Sequence, residues 1–305
     1  MLCLLALAVF ASGMALSRGA IPASEIDNAF TAFQSEIEKE LVASRRGSDT
    51  QLRQHAAETY ERLFRKQLTR AKLDDLSSAD LDLIHRAAEI AGTYAIEERH
   101  ARDMVAILDE LSRRGDATKL HYSATYRMLV AVRDFAGARR LAAKYPAEEF
   151  EVLPTVRADP DPAKGPSVWT LSDDKNEVVR RRVEMDTGPR IVVVSHPLCH
   201  FSRNAVSAIA ADDVLGAVFR SYATWIAPQS GTLNLPRLQQ WNREHRHFEV
   251  ALVVRQTEWT FVDYWNTPTF YFLRDGAVVQ KVIGWPKEGR REDLLSASRK
   301  AGILQ

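Results

Sequence analysis

The sequence predicts an α/β chain built in two parts: an all-α helical bundle or repeat-like region, then a central mixed sheet flanked by helices. Three observations predict it. Apolar residues recur at helical spacing from Ser24 to about Tyr145, a proline-rich stretch without period interrupts them, and continuous apolar runs and hairpin signals take over beyond it. The division expected is a signal peptide at 1–20, a helical domain at 21–150, a linker at 151–166 and a sheet-bearing domain at 167–305.

The first sixteen residues are apolar, and Gly13 and Ala15 supply the small residues of a cleavage site. The run is shorter than the ~20 residues of a spanning helix, which favours a cleaved leader over a retained anchor. Arg18 is the first cation, so the basic start of a secretory leader is missing. Either Met1 is internal to a longer reading frame or the segment stays as an N-terminal anchor; no other integral membrane domain is expected. Cleavage removes Cys3 and leaves Cys199 as the one cysteine of a periplasmic or secreted protein, where it cannot form an internal disulfide.

Ile26, Phe30, Phe33 and Ile37 repeat at the period of an amphipathic helix, as do Tyr60, Leu63, Phe64 and Leu68, and again Leu81, Ile84, Ala88 and Ala91. Ser24 with Asp27, and Ser77-Ser78, read as helix starts, while Gly47, Gly92 and Gly115 punctuate the pattern. About six helices are expected. Small residues at Ala136, Gly137 and Ala138 would allow close helix contact in the manner of paired-helix repeats, but no fixed period survives self-comparison.

Four prolines and a glycine between Glu151 and Pro166 predict a linker. Val168–Leu171, Glu177–Met185 and Ile191–Val194 then read as strands, with Thr187-Gly188-Pro189 turning the chain between the last two. Phe270 to Gly284 reads as a hairpin around Asp275-Gly276. Leu294, Leu295 and Ile303 fit a terminal helix.

At 305 residues, 46% hydrophobic and 27% charged, the composition is that of a folded globular protein with room for two domains. Forty-one Lys plus Arg against 40 Asp plus Glu leave a net charge of +1. Such a balance attracts neither nucleic acid nor an anionic membrane.

The chemistry concentrates at Cys199. Arg190-Ile-Val-Val-Val-Ser-His-Pro-Leu-Cys199 is a buried-strand pattern delivering the cysteine to a helix start that continues through Asn204, Val206 and Ile209. Unpaired N–H groups and the helix dipole at such a position favour thiolate over thiol. Asn266-Thr267-Pro268-Thr269 places a proline directly before a second buried strand. With the hairpin and terminal helix after it, this order resembles the thioredoxin superfamily over roughly Arg190 to Leu304.

The resemblance implies a thioredoxin-like fold in which Cys199 is the nucleophile and Pro268 is a cis-proline facing it. Thr267 would pair its backbone with an extended substrate, and Gly284 would match the glycine that follows the cis-proline. Trp265 and Trp285 flank this region and would line a peptide groove. The motif Cys199-His200-Phe201-Ser202 departs from the two-cysteine pattern, since Ser202 holds the resolving thiol's place and can hydrogen-bond a thiolate but cannot attack. Protonated His200 would stabilise a thiolate; alternatively it is a solvated side chain on the first turn. Leu198 replaces the family's tryptophan, Val193 its buried acid, and a longer interval from Cys199 to Pro268 implies an insertion around Trp225 to Phe261, containing a helix from Leu235 to Arg243.

The expected activity is thiol–disulfide exchange, as an oxidoreductase or isomerase, on cysteine-containing client proteins of the cell envelope, with an external thiol reductant or the client's own cysteine resolving the mixed disulfide. The alternative is a redox-inactive scaffold whose helical region holds a partner. His196, Cys199, His200, His245 and His247 are metal-binding types, but no second cysteine supports them. No metal or cofactor is therefore expected.

Overall fold

The computed structural model describes residues 24–305 apart from 46, 147–148, 158–164 and 174. The expected signal peptide, Cys3 and the middle of the proline-rich stretch lie outside the described residues.

Among the described residues seven α-helices occupy the N-terminal region where about six were expected: α1 (Glu25–Ser44), α2 (Thr50–Phe64), α3 (Arg70–Asp75), α4 (Ser78–Ala95), α5 (Glu98–Arg114), α6 (Lys119–Ala131) and α7 (Phe135–Lys144). Their starts follow local chemistry. The Ser24 hydroxyl accepts from the Asp27 N–H at 3.0 Å, Ser77 does the same for Asp80 at 3.1 Å, and the Asp134 carboxylate caps α7 through Gly137 N–H at 2.8 Å. The apolar stripes read from the sequence face inward: Ile26, Phe30, Phe33 and Ile37 of α1 are all buried, as are Leu81, Ile84, Ala88 and Ala91 of α4.

Beyond α7 come β1 (Thr155–Arg157), β2 (Ser167–Leu171), β3 (Glu177–Arg182), β4 (Pro189–Val194), α8 (His200–Ala211), α9 (Asp213–Tyr222) and β5 (Ala223–Ala227). They are followed by α10 (Leu235–Glu244), β6 (Val250–Val253), β7 (Thr269–Arg274), β8 (Ala277–Ile283) and α11 (Arg291–Lys300). The strands form one eight-stranded mixed sheet in the order β1-β3-β2-β6-β5-β4-β7-β8. β4, β5 and β6 are parallel, while β7 runs antiparallel to both β4 and β8.

The proline-rich stretch is more than a connector. Its β1 residues pair with β3, Leu153 is buried, and the Glu151 carboxylate accepts from the Leu233 and Asn234 N–H groups at 2.9 and 2.7 Å. The expected insertion holds the end of β5, all of α10 and all of β6, so it contributes strands to the sheet rather than hanging off it.

Two-residue alternation separates the sheet's faces. Ile191, Val193, Phe270 and Phe272 point to one side, into a single apolar cluster that also contains the cores of α1 to α7. Val192, Val194, Tyr271 and Leu273 point to the other, against Val168, Trp259, Val262 and Trp265. Helical region and sheet thus share one core, joined where Phe135 packs on Trp169 with ring centres 5.2 Å apart. Among the described residues no helix is long and apolar enough to cross a membrane.

Candidate functional site: the Cys199 groove

Sheet register builds the site. β4 and β7 pair with Val194 opposite Thr269, so the chain leaving β4 and the chain entering β7 lie side by side at one edge of the pleat. Cys199 is carried just beyond the first and Pro268 just before the second. The Thr267–Pro268 peptide bond is cis. The Cys199 thiol donates to the Thr267 carbonyl, Sγ to O 3.4 Å. Two residues separated by 68 positions are thereby brought into contact.

Cys199 is the residue preceding α8, in extended backbone conformation. Its N–H donates to the His196 carbonyl at 2.9 Å and its carbonyl accepts from the Arg203 N–H at 3.1 Å, closing the first helical turn. His196 Nδ1 accepts from the Leu198 N–H at 3.1 Å, and burial lowers the His196 pKa. The loop is thus fastened by its own backbone. Cys199 is 9% exposed, so its sulfur sits at the floor of a depression rather than on a ridge.

That depression is a groove of about 460 Å³. Thr267 and Pro268 form one wall with Asn266 and Tyr264, while Phe201 and Trp285 offer aromatic surface and Arg290 a cation. Gly284 adopts φ 73°, a left-handed conformation that glycine reaches without strain, and its N–H donates to the Pro268 carbonyl at 2.9 Å. This bond ties the segment after β8 to the proline and sets Trp285 beside the groove.

The remaining expected site residues divide. Ser202 is 1% exposed and its hydroxyl accepts from the His196 N–H at 3.4 Å; no hydrogen bond joins it to Cys199. The expected serine–cysteine hydrogen bond is replaced by one that holds the loop, because the thiol is turned toward Thr267. His200 is exposed, with its ring 3.8 Å from that of Phe201. Trp265 is not a groove residue. It is buried on the opposite face of the sheet from Trp285, since its segment folds over Val192, Val194 and Tyr271 before the chain reaches Pro268.

Sequence reasoning missed the support behind the Pro268 loop. The turn between α1 and α2 grips it: the Asp49 carboxylate accepts from the Trp265 N–H at 2.9 Å, and the Asp49 N–H donates to the Asp263 carbonyl at 2.9 Å. Lys281 adds a bridge to Asp263 at 2.7 Å and to the Gly47 carbonyl at 2.6 Å. The Tyr271 hydroxyl, with its pKa raised by burial and by the neighbouring Asp263 charge, donates to the Tyr264 carbonyl at 3.0 Å and accepts from the Tyr264 N–H at 2.9 Å. Burial also raises the Asp49 pKa. Asp49 lies 216 positions from Trp265, a distance at which no local pattern could flag it.

Among the described residues no group of three His, Cys, Asp or Glu is placed to hold a metal ion. Comparison of the chain with protein-family models, with curated proteins and with solved structures finds no match. The site therefore has to be interpreted from its own geometry.

Proposed function

We propose that the protein is a monothiol thiol–disulfide exchange protein of thioredoxin-like type, acting through Cys199 on cysteine-containing clients in an exported, oxidising compartment. The observation that carries this reading is the juxtaposition of Cys199 Sγ with the Thr267 carbonyl, 3.4 Å away, in a groove open to solvent. The order of elements supports it as well: buried strand, cysteine, helix, then proline, hairpin and terminal helix.

In the step envisaged, the Cys199 thiol loses its proton and the thiolate attacks one sulfur of a client disulfide. A new bond forms from Cys199 to that sulfur, the client's S–S bond breaks, and the departing client thiolate takes up a proton. Ser202 cannot resolve this mixed disulfide. A second thiolate must do so, attacking either the client sulfur or Cys199. If it is the client's own, the pairing is rearranged with no net redox change; if it is an external thiol, further exchange reduces the client and oxidises that thiol to its disulfide. The exposed edge of Thr267 would align the client backbone, with Phe201 and Trp285 accepting an apolar side chain.

A disulfide-isomerase assay on a scrambled model protein, run with a small-molecule thiol, tests this. Wild type should restore native pairing and Cys199→Ala should not; equal behaviour of the two defeats catalysis by the thiol. The second reading, a redox-inactive scaffold, is favoured by one observation: Cys199 is only 9% exposed and its thiol is already engaged by Thr267. It requires that Cys199 in the folded protein resist small alkylating agents altogether.

A further inference from the structure

A trough of about 780 Å³ lies in the helical region between α5 and α7, with Arg255 of the sheet region on its wall. One face of α5, from Glu98 through Arg102 and Val105 to Asp109, lines one side, and one face of α7, from Gly137 through Arg140 and Leu141 to Lys144, lines the other. Glu98 to Asp109 spans about 16 Å at 1.5 Å per residue. An extended chain of about five residues covers that length. The floor is apolar, contributed by Val105, Leu129, Val132 and Leu141.

The charge on the walls is unbalanced. Five cations, Arg102, Arg133, Arg140, Lys144 and Arg255, face three carboxylates. Glu98 is shared between Arg102 at 3.9 Å and Arg255 at 3.4 Å, Asp109 is taken by Lys144 at 2.5 Å, and the Asp134 carboxylate is occupied in capping α7. Among the described residues no carboxylate lies within ion-pair distance of Arg133 or Arg140. Arg133 donates instead to the Val253 and Val254 carbonyls at 2.8 and 3.2 Å, with its guanidinium 4.8 Å above the Trp169 ring. Burial, reinforced by Arg255, lowers the Arg133 pKa to about 9. Glu151 acts on Arg133 from behind. Arg140 is exposed on the wall with no carboxylate of its own among the described residues, and Arg255 has only a share of Glu98, so an acidic ligand supplies the missing counter-charge.

We propose that this trough binds an extended peptide segment in which acidic side chains alternate with apolar ones. Its carboxylates meet Arg140, Arg255 and the edge of Arg133, and its apolar side chains cover Val105 and Leu141. The cations are spread over α5, α7, the α6–α7 turn and the loop after β6 rather than converging on one point, which suits a chain carrying several carboxylates better than a single compact anion. The proposal does not depend on Cys199 chemistry.

Fluorescence anisotropy tests it with the full chain and a labelled peptide of about seven residues alternating glutamate and leucine, about five to span the trough and one beyond each end. Wild type should bind it saturably, more weakly as salt rises. Arg140→Glu, an exposed change, should weaken binding at least tenfold while leaving the circular dichroism spectrum unaltered. Cys199→Ser should bind like wild type. A lysine–leucine peptide should not bind, and inorganic phosphate at matched ionic strength should not displace the acidic probe. The proposal is overturned by absent binding, by equal affinity in Arg140→Glu, by equal binding of the lysine peptide, by phosphate displacement, or by loss of binding in Cys199→Ser, which would move the peptide to the other groove.

Discussion

Acidification should destabilise this protein through two histidines sealed in its helical core. His85 of α4 and His100 of α5 are 1% and 0% exposed. Burial, with the neighbouring His121, lowers the His85 pKa to about 3; burial, with Arg99, lowers that of His100 to about 4. His85 has a single side-chain partner, the Thr125 hydroxyl at 2.9 Å, and neither ring nitrogen of His100 has one. An unfolded chain titrates its histidines near pH 6.5 and so binds protons that the folded state refuses. Stability is therefore complete above about pH 6.5 and falls as pH drops toward the folded values. At about pH 5 each histidine costs about 2 kcal/mol, or about 4 kcal/mol together, against a typical total of 5–15 kcal/mol.

The raised pKa values of Asp49 and Asp103 act in the opposite sense, because those groups gain protons more readily when folded, and they offset part of the loss at lower pH still. Urea unfolding followed by circular dichroism, at about pH 7.5 and about pH 5, measures the difference directly. His100→Leu should remove about half of the pH dependence. Equal stability at the two pH values, or an undiminished loss in His100→Leu, would refute this account of the histidines.

Other consequences follow from the site and the core. Ser202→Cys puts a second thiol one helical turn beyond Cys199, so oxidation should consume both thiols in a reagent titration, whereas the wild-type thiol should stay titratable unless a small thiol caps it. Asp49→Ala removes the acceptor that holds the Trp265 N–H. The loss of about 1–2 kcal/mol should loosen the Pro268 loop and speed Cys199 alkylation by about tenfold, while Asp49→Asn, which keeps an acceptor, should alkylate at close to the wild-type rate. Phe219→Ala should cost about 3–5 kcal/mol in urea unfolding. That ring is fully buried, with edge contacts to Phe270 at 5.9 Å and Phe272 at 6.3 Å, and links α9 to the strands that carry the groove.

Much of the fold was legible because its signals are local. Helical spacing in α1 and α4, the serine caps and the Asp275-Gly276 turn each state their element within a few residues, and Asp275 and Gly276 do take the positive φ values of 48° and 78° that such a turn needs. The approach of Cys199 to Pro268 was legible only through the family resemblance of the ordered motifs, since no local pattern joins two residues that far apart. What was not legible depends on long-range packing. β1 is three residues long and entirely exposed, too short to show a period. Trp265 and Trp285 look equivalent beside Pro268 in sequence, yet a segment folding over the opposite sheet face buries one and leaves the other at the groove. The Asp49 clamp unites the α1–α2 turn with a loop more than 200 positions away, as its bond to Trp265 across 216 residues shows.

The central claim is that Cys199 exchanges with disulfides, and covalent capture tests it most directly. Incubated with a disulfide-bonded protein and quenched in acid, wild type should migrate on a non-reducing gel as an adduct that a reductant dissolves and that peptide mapping assigns to Cys199. The absence of any adduct on wild type, or an adduct that persists in Cys199→Ala, would contradict it.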